Sequence, residues 1–416
     1  MAQALHGRGG APAGARGGAL DRGDRPRLRR RLPRDAGGDP RGDPRGLHRG
    51  RRRALPLHPL PQRRRGPHRP DRTARRRQPR RLAVSAAPVA LVGGAGFIGH
   101  WLAGELERRG VPFAILDIRR PPAFARSWRQ VDIRDRAALT GALPEGCEVV
   151  VHLAAVHRDD VRERRLYDEV NVAGTRNLAA AAAARGVRRI VFTSSVAVYG
   201  FAAPQTGEDG PIRPFNDYGR TKAEAERVLA DWRAGGAGRE LIVVRPTVVF
   251  GPGNRGNVHN LLSQIARRRF VMVGPGTNRK SMAYVENLAA FLAHCIACRT
   301  GDALLNYVDG PDLTMNELVS LVRERLHGRP GVGLRLPMWA GLALGAAADA
   351  VAALTGTRLP VSRLRVRKFC AETSFRSAAH GFEGFRAPVS LREGLERTLE
   401  AEFIAPDPAR PVFETE

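Results

Sequence analysis

The chain has 416 residues, 69 basic against 41 acidic side chains for a formal net charge of +28, and 43% hydrophobic content. That apolar content can build a sizeable core, so a wholly disordered chain is excluded, and the length suggests two or three domains of roughly 100 to 200 residues. Cys147, Cys295, Cys298 and Cys370 are too few for a disulfide framework, and no apolar stretch of secretory type follows the N-terminus, so a reducing, cytoplasmic setting is expected.

Residues 1 to 86 hold 25 arginines and six aspartates with no lysine or glutamate, a net +19 that leaves +9 for the other 330 residues. Such a basic balance ordinarily raises nucleic acid or an anionic membrane surface as a partner. This stretch contains no Phe, Trp or Tyr to stack on bases. Arginine is also preferred throughout the chain, whose only lysines are Lys222, Lys280 and Lys368, which points to a GC-rich coding sequence rather than a nucleic-acid partner. A segment of Arg, Gly and Pro without periodicity cannot offset the entropy of ordering, so residues 1–86 are expected to be a disordered tail. A sharper expectation is that they are upstream sequence translated from a start codon assigned too early, with the true start near Val84. Mass spectrometry of the native N-terminus tests this, and peptides from residues 20 to 80 would refute it.

From Pro88 the pattern changes. Apolar runs at Val89–Val92, Phe113–Leu116, Val149–Leu153, Ile190–Phe192 and Leu241–Val244 are separated by helix-compatible stretches such as Leu178–Ala184. Alternating strands and helices imply crossover units and a parallel sheet covered on both faces. The predicted fold class is α/β: a Rossmann-type doubly wound sheet over residues 87–250, then a smaller, partly helical substrate-binding region over 251–403 and a tail over 404–416. In the second region helices are expected at His259–Arg269, Val285–Cys298, Thr314–Leu326 and Ser390–Glu402. The longest charge-free apolar run, Leu336 to Ala348, has 13 residues. A membrane span needs ~20, so no transmembrane segment is predicted and the run is read as a helix packed in protein or lying on its surface.

The first strand runs into Gly93-Gly94-Ala95-Gly96-Phe97-Ile98-Gly99, which opens a helix. Glycines at 93, 96 and 99 let a pyrophosphate approach the backbone, and the helix start at Phe97 and Ile98 offers unpaired N–H groups and a positive dipole end. The second strand ends at Asp117, 18 residues past Gly99, where a carboxylate accepts hydrogen bonds from an adenosine ribose. A carboxylate there repels a ribose 2′-phosphate and favours NAD over NADP, although Arg119 and Arg120 are near enough in sequence to neutralise one.

Tyr218 and Lys222 lie four residues apart, on one face of a helix, so a lysine ammonium can approach the phenol. A neighbouring positive charge favours phenolate, which would make a side chain that titrates near pH 10 a usable proton donor and acceptor. Ser195, in Thr193-Ser194-Ser195 at the carboxyl end of a strand, suits holding a reacting oxygen. Candidate substrate contacts are Gly253-Asn254-Arg255-Gly256-Asn257 and Asn278-Arg279-Lys280-Ser281, above all Asn254, Arg255 and Arg279, because Arg and Lys among backbone glycines suit a nucleotide diphosphate. Either cluster reads equally as a solvated loop. His157 to Asp160 is placed either at the substrate pocket or on a surface turn. Cys295-Ile296-Ala297-Cys298 has redox or zinc spacing but lies in a helical apolar stretch without a second ligand pair, so no metal is predicted.

Together with Val131-Asp132, His152-Leu153-Ala154-Ala155, Asn171 to Thr175, Ser194 to Gly200 and Arg245-Pro246 followed by Phe250 to Gly253, these motifs make the chain resemble the extended short-chain dehydrogenase/reductase family, in its nucleotide-sugar epimerase and dehydratase branch. The resemblance covers roughly residues 88–403. It implies Tyr218 as acid/base, Lys222 as the residue that lowers the tyrosine pKa and binds the nicotinamide ribose, and Ser195 as hydrogen-bond partner of the reacting oxygen. It places Asp132 and Ile133 by the adenine, Leu153, Ala154 and Ala155 beside the cofactor, and makes Asn171 a helix-positioning residue. It also implies a homodimer and a place in cell-surface polysaccharide biosynthesis. Dehydratases of the family carry Thr in place of Ser195 followed by an Asp-Glu pair; here Val196 and Ala197 follow, which disfavours dehydration. The expected activity is therefore an NAD-dependent epimerase or 4-keto reductase of a nucleotide-diphosphate sugar. The alternatives are a reductase or dehydrogenase of a non-sugar, steroid-like ketone or alcohol, and a non-catalytic dinucleotide sensor, for which an intact proton relay has no use.

Overall fold

The computed structural model describes residues 87–157, 163–355 and 362–414. The expected tail over 1–86, the start near Val84 and Arg158 to Asp160 lie outside the described residues.

In chain order the first half comprises β1 (Val89–Val92), α1 (Phe97–Arg108), β2 (Phe113–Asp117), β3 (Trp128–Gln130), α2 (Arg136–Ala142), β4 (Val149–His152), α3 (Gly174–Ala184), β5 (Arg189–Thr193), α4 (Asp217–Ala234) and β6 (Glu240–Pro246). The second comprises β7 (Val248–Phe250), α5 (Asn257–Ala266), β8 (Met272–Val273), β9 (Arg279–Tyr284), α6 (Val285–Ala297), β10 (Ala303–Tyr307), β11 (Asp309–Thr314), α7 (Met315–His327), β12 (Arg335–Leu336), α8 (Met338–Thr355), α9 (Arg363–Cys370) and α10 (Leu391–Leu399).

Seven strands form one parallel sheet in the order β10-β6-β5-β4-β1-β2-β3. Its strands are apolar nearly throughout because both faces are covered. Val89 and Leu91 point into a core shared with α1 and α6, while Ala90 and Val92 point into a second core with α3 and α4. A third core joins α5, α7 and α10 to β9 through Leu262, Met282, Val319 and Leu395. Beside it β9 pairs with β7 in parallel and with β11 antiparallel.

The expected helices of the second half form with ends shifted by a few residues. Thr314 caps α7 in a reciprocal box with Glu317, and the Ser390 side chain caps α10 by accepting from the Glu393 N–H. Two expectations need correction. The sheet does not end near residue 250: β10 adds to its edge beside β6 and α6 packs on α1, because their apolar faces complete the first core. Residues past 404 are not a loose tail throughout. The Phe413 N–H donates to Gly253 O at 2.8 Å, its carbonyl accepts from the Arg255 N–H at 2.9 Å, and its ring lies 5.8 Å from Phe97. The apolar run from Leu336 takes the second of its two expected placements, on the protein's surface. It becomes the end of β12 and most of α8, where only Gly341 and Gly345 are buried.

Candidate active site

Strand order reverses between β1 and β4, and a cavity of about 810 Å³ runs along the carboxyl ends at that switch point, where open α/β sheets take ligands. Gly93, Gly96, Phe97, Ile98 and Gly99 form one end of its wall. Gly93 has φ +82°, and a Cβ there would lie 2.3 Å from the Ala154 nitrogen, so this turn admits only glycine. At Gly96 a Cβ would meet nothing nearer than Gly93 O at 3.5 Å; the protein's own packing leaves this backbone bare toward the cavity. The first turn of α1 has no side-chain cap and no acidic residue, so its N–H groups and dipole stand open to an anion.

Asp117 is buried at the end of β2. Its carboxylate accepts from the Ala95 N–H at 3.0 Å and from the Arg119 N–H at 2.9 Å, so it braces the glycine loop as well as facing the cavity. Arg119 lines the cavity, whereas the Arg120 guanidinium sits over the Trp128 ring, 6.0 Å from its centroid. Asp132 and Ile133 lie on the wall, with the Arg134 side chain holding the Asp132 carboxyl below its usual range. Leu153, Ala154 and Ala155 complete this half. A glycine cradle, an uncapped helix start and a ribose-side carboxylate along one trough fit a dinucleotide.

Ser195, Tyr218 and Lys222 line the same cavity. Asn216 caps α4 by accepting from the Gly219 N–H at 2.9 Å, which sets Tyr218 in the first turn and Lys222 one turn later. A Cβ on Gly219 would come 2.4 Å from Ala197 O, so glycine lets α4 press against the turn that follows Ser195. The Ser195 hydroxyl thereby reaches and hydrogen-bonds the Tyr218 phenol. The Tyr218 ring keeps some exposure but its hydroxyl end is enclosed. The Lys222 ammonium donates to Thr193 O at 2.7 Å and lies over the Phe192 ring at 4.7 Å.

Burial outweighs the effect expected of Lys222 on the tyrosine pKa. The ammonium is 6.0 Å from the Tyr218 ring centroid and turned to the Thr193 carbonyl, and burial governs both groups. It pushes the phenol up to about 12, opposed by the Ser195 hydrogen bond, and the ammonium down to about 7, opposed by Glu226.

Asn171, in a π-helical turn over Tyr167–Ala173, accepts from the Val156 N–H at 2.7 Å and donates to Val156 O and to Thr221 Oγ1, each at 2.9 Å. It ties the strand end beside the cavity to α4, a positioning role. Sequence reasoning missed the network beneath the site. The Ser194 hydroxyl donates to Glu226 at 2.5 Å, Arg245 pairs with Glu226 at 2.6 Å and donates to the Tyr199 hydroxyl at 2.7 Å, and Tyr199 donates to Asn306 at 2.8 Å. Ser194, Tyr199 and Arg245 stand in quoted motifs, but these partners come from strands and a helix far apart in sequence, and no local pattern joins them to one another or to Glu226 and Asn306.

The substrate clusters divide. Asn254, Gly256, Asn257 and Ser281 face the cavity. Arg255 and Arg279 are not on its wall: Arg255 pairs with buried Glu402, and Arg279 donates to Asp312 O. The Lys280 ammonium donates to Lys368 O and Ala371 O, and burial lowers it to about 8. Thr373 and Phe375 join the wall because Thr373 bridges to Lys280, a pairing across 93 residues with no local signal. Of the His157–Asp160 cluster, His157 lines the cavity. Cys295 and Cys298 are buried at the end of α6, whose last carbonyls accept from Arg189. Among the described residues no group of three His, Cys, Asp or Glu is placed to hold a metal.

Comparison with known proteins agrees with this geometry. Residues 89–305 match the family described as "NAD dependent epimerase/dehydratase family". The chain is 45% identical over 321 residues, 76% of its length and 95% of the relative's, to N-acetyl-alpha-D-glucosaminyl-diphospho-ditrans,octacis-undecaprenol 4-epimerase of Escherichia coli O157:H7. It is 30% identical to UDP-glucose 4-epimerase of Vibrio cholerae, over 75% of the chain and 94% of the relative. Among solved structures, MoeE5 in complex with UDP-glucuronic acid and NAD superposes with a TM-score of 0.59 at 29% identity, covering 76% of this chain and 98% of that one. The chain belongs to the NAD dependent epimerase/dehydratase family, among the extended short-chain dehydrogenases/reductases, and is an NAD-dependent enzyme of that type.

Proposed function

We propose that the enzyme is a 4-epimerase of a sugar carried on a diphosphate, and that the carrier is a polyprenol. The observation that carries the epimerase reading is the meeting of Ser195, Tyr218 and Lys222 at one cavity with the dinucleotide cradle, without an acidic pair after Ser195 to drive dehydration. One fact supports a polyprenyl carrier over a nucleotide: the 45% identity to an epimerase of an undecaprenyl-diphosphate sugar.

In the forward half of the reaction, Tyr218 accepts the proton of the 4-hydroxyl while Ser195 holds the same oxygen, leaving a 4-keto sugar. When bound, oxidised NAD supplies the hydride acceptor, and later the donor, together with a positive charge that favours phenolate at Tyr218. Lys222 would hold the nicotinamide ribose of the bound cofactor. The ketone turns within the cavity to present its other face, and Tyr218 returns the proton to the new 4-hydroxyl. No net redox change results.

The test presents purified enzyme with N-acetylglucosaminyl-diphospho-polyprenol or UDP-N-acetylglucosamine, without added NAD, and separates the released sugars. Formation of the 4-epimer from the polyprenyl substrate supports the reading. Net consumption of NADH, or no epimer from either substrate, overturns it. Conversion of the UDP-sugar alone would select the nucleotide carrier, a second reading favoured by the likeness to the Vibrio cholerae enzyme.

A further inference from the structure

We infer that α8 and α9 form a membrane-docking hairpin, which seats the enzyme on a bilayer with anionic headgroups and lies beside the substrate end of the cavity. The inference rests on the polyprenyl reading only for its purpose; the surface itself is argued from its own residues.

Helix α8 is 18 residues long with a mean hydropathy of 1.4, yet only 11% of it is buried. Trp339 is 74% exposed and Leu354 87%, with Leu344 and Val351 also outward. The small side of the helix faces the protein, with Gly341 against Val273 and Gly345 against the backbone of Arg363. Asp349, the one ionisable residue of α8, accepts from the Arg363 N–H at 3.0 Å and so joins the two helices. An apolar helix that turns its small residues inward and its large ones outward buries almost none of its own hydrophobic surface. Contiguous apolar surface of that kind on a folded protein marks a binding face.

The charge of α9 selects the occupant. Arg363, Arg365, Arg367 and Lys368 are exposed, and the helix has no acidic residue. Apolar side chains that include Trp, beside a basic cluster, are the composition of helices that lie in the interface of anionic membranes. Two copies meeting through this face would bring their basic clusters together, which disfavours a dimer there.

The face is continuous with the cavity. The Lys368 ammonium lies 4.8 Å from the Phe215 ring centroid, and Phe215 stacks on Phe201 with centroids 4.6 Å apart; both aromatics are exposed. Their sequence neighbours Asn216 and Gly200 line the cavity, as do Thr373 and Phe375 just after α9. A sugar diphosphate whose lipid tail stays in the bilayer would thus enter beside the surface that holds the enzyme there.

The experiment is flotation of the full chain with vesicles of phosphatidylcholine alone or with about one-quarter phosphatidylglycerol. Binding to the anionic vesicles is expected. It should fall at least about tenfold for Trp339→Glu/Leu344→Glu/Leu354→Glu and for Arg363→Gln/Arg365→Gln/Arg367→Gln. Retained NAD in both variants shows that they fold. No binding by the wild-type chain overturns the inference. So does binding that the Glu variant keeps, because the arginines of residues 1–86 would then account for it. A lipid-free dimer that the Glu substitutions dissociate, seen by sedimentation equilibrium, overturns it as well. Turnover of detergent-dispersed polyprenyl substrate separates the two proposals: turnover without vesicle binding sinks the docking hairpin alone, and binding without turnover sinks the proposed function alone.

Discussion

The proton relay proposed for Tyr218 runs through a single oxygen, and Tyr218→Phe removes that oxygen while keeping the ring. Turnover should fall by about two orders of magnitude or more, with NAD still bound, as read by a steady-state assay and by cofactor extraction. Full activity in the Phe variant would place the proton relay elsewhere. Lys222 carries a prediction about pH. Its folded value of about 7 lies below the ordinary 10.5, so the unfolded chain binds the proton more readily. The stability it contributes is present above the unfolded value and is lost as pH falls through about 7. Lys222→Met should therefore flatten the rise of unfolding free energy between pH 7 and pH 10 in urea titrations; slopes equal to wild type would mean that Lys222 stays charged. At this scale the sequence was informative about identity and uninformative about state. The spacing of Tyr218 and Lys222 is visible in the chain, but the shift of each is a desolvation effect, and burial is not a local property.

Helix α4 positions both residues, and its seat against the turn after Ser195 depends on Gly219. Gly219→Ala forces a Cβ within 2.4 Å of Ala197 O, so the first turn must move away and lengthen the Ser195–Tyr218 hydrogen bond. The expected outcome is a large loss of kcat with little change in NAD affinity; a matched loss of both would mean that the glycine serves the fold rather than the relay. On the same helix Glu226, partly buried, pairs with buried Arg245 at 2.6 Å. Glu226→Gln leaves the buried Arg245 charge without its carboxylate and should cost up to about 3 kcal/mol in denaturant unfolding, the low end of the penalty for removing one partner of a fully buried pair. A loss within the range of a surface substitution would show that water reaches the pair. The amphipathic helices α5, α7 and α10 were readable because their apolar stripes and caps are local. Helix α8 left two placements open in the sequence for an equally definite reason: hydrophobicity tells that a helix leaves water, and only the surrounding structure tells what it leaves water for.

For the whole molecule, the cofactor's behaviour on purification is diagnostic. An epimerase regenerates its cofactor within each turnover, so NAD should be recovered in about one-to-one ratio by denaturing extraction, with no net NADH formed during conversion. An empty protein that exchanges cofactor freely would instead favour net reduction or oxidation. By itself the sequence determined the parallel α/β architecture, the dinucleotide trough and the Ser195–Tyr218–Lys222 group, because strand periodicity, a glycine turn before a helix and an i, i+4 pair are short-range patterns imposed by backbone geometry. Tertiary structure alone decided what crosses long stretches of chain. It returned α6 and β10 to the first sheet, tied Arg255 to Glu402 instead of a ligand, brought Thr373 to the cavity through Lys280, and left α8 uncovered beside a basic helix. Each of these is settled by which distant surfaces bury one another, and burial is a property of the assembled fold rather than of any window of sequence.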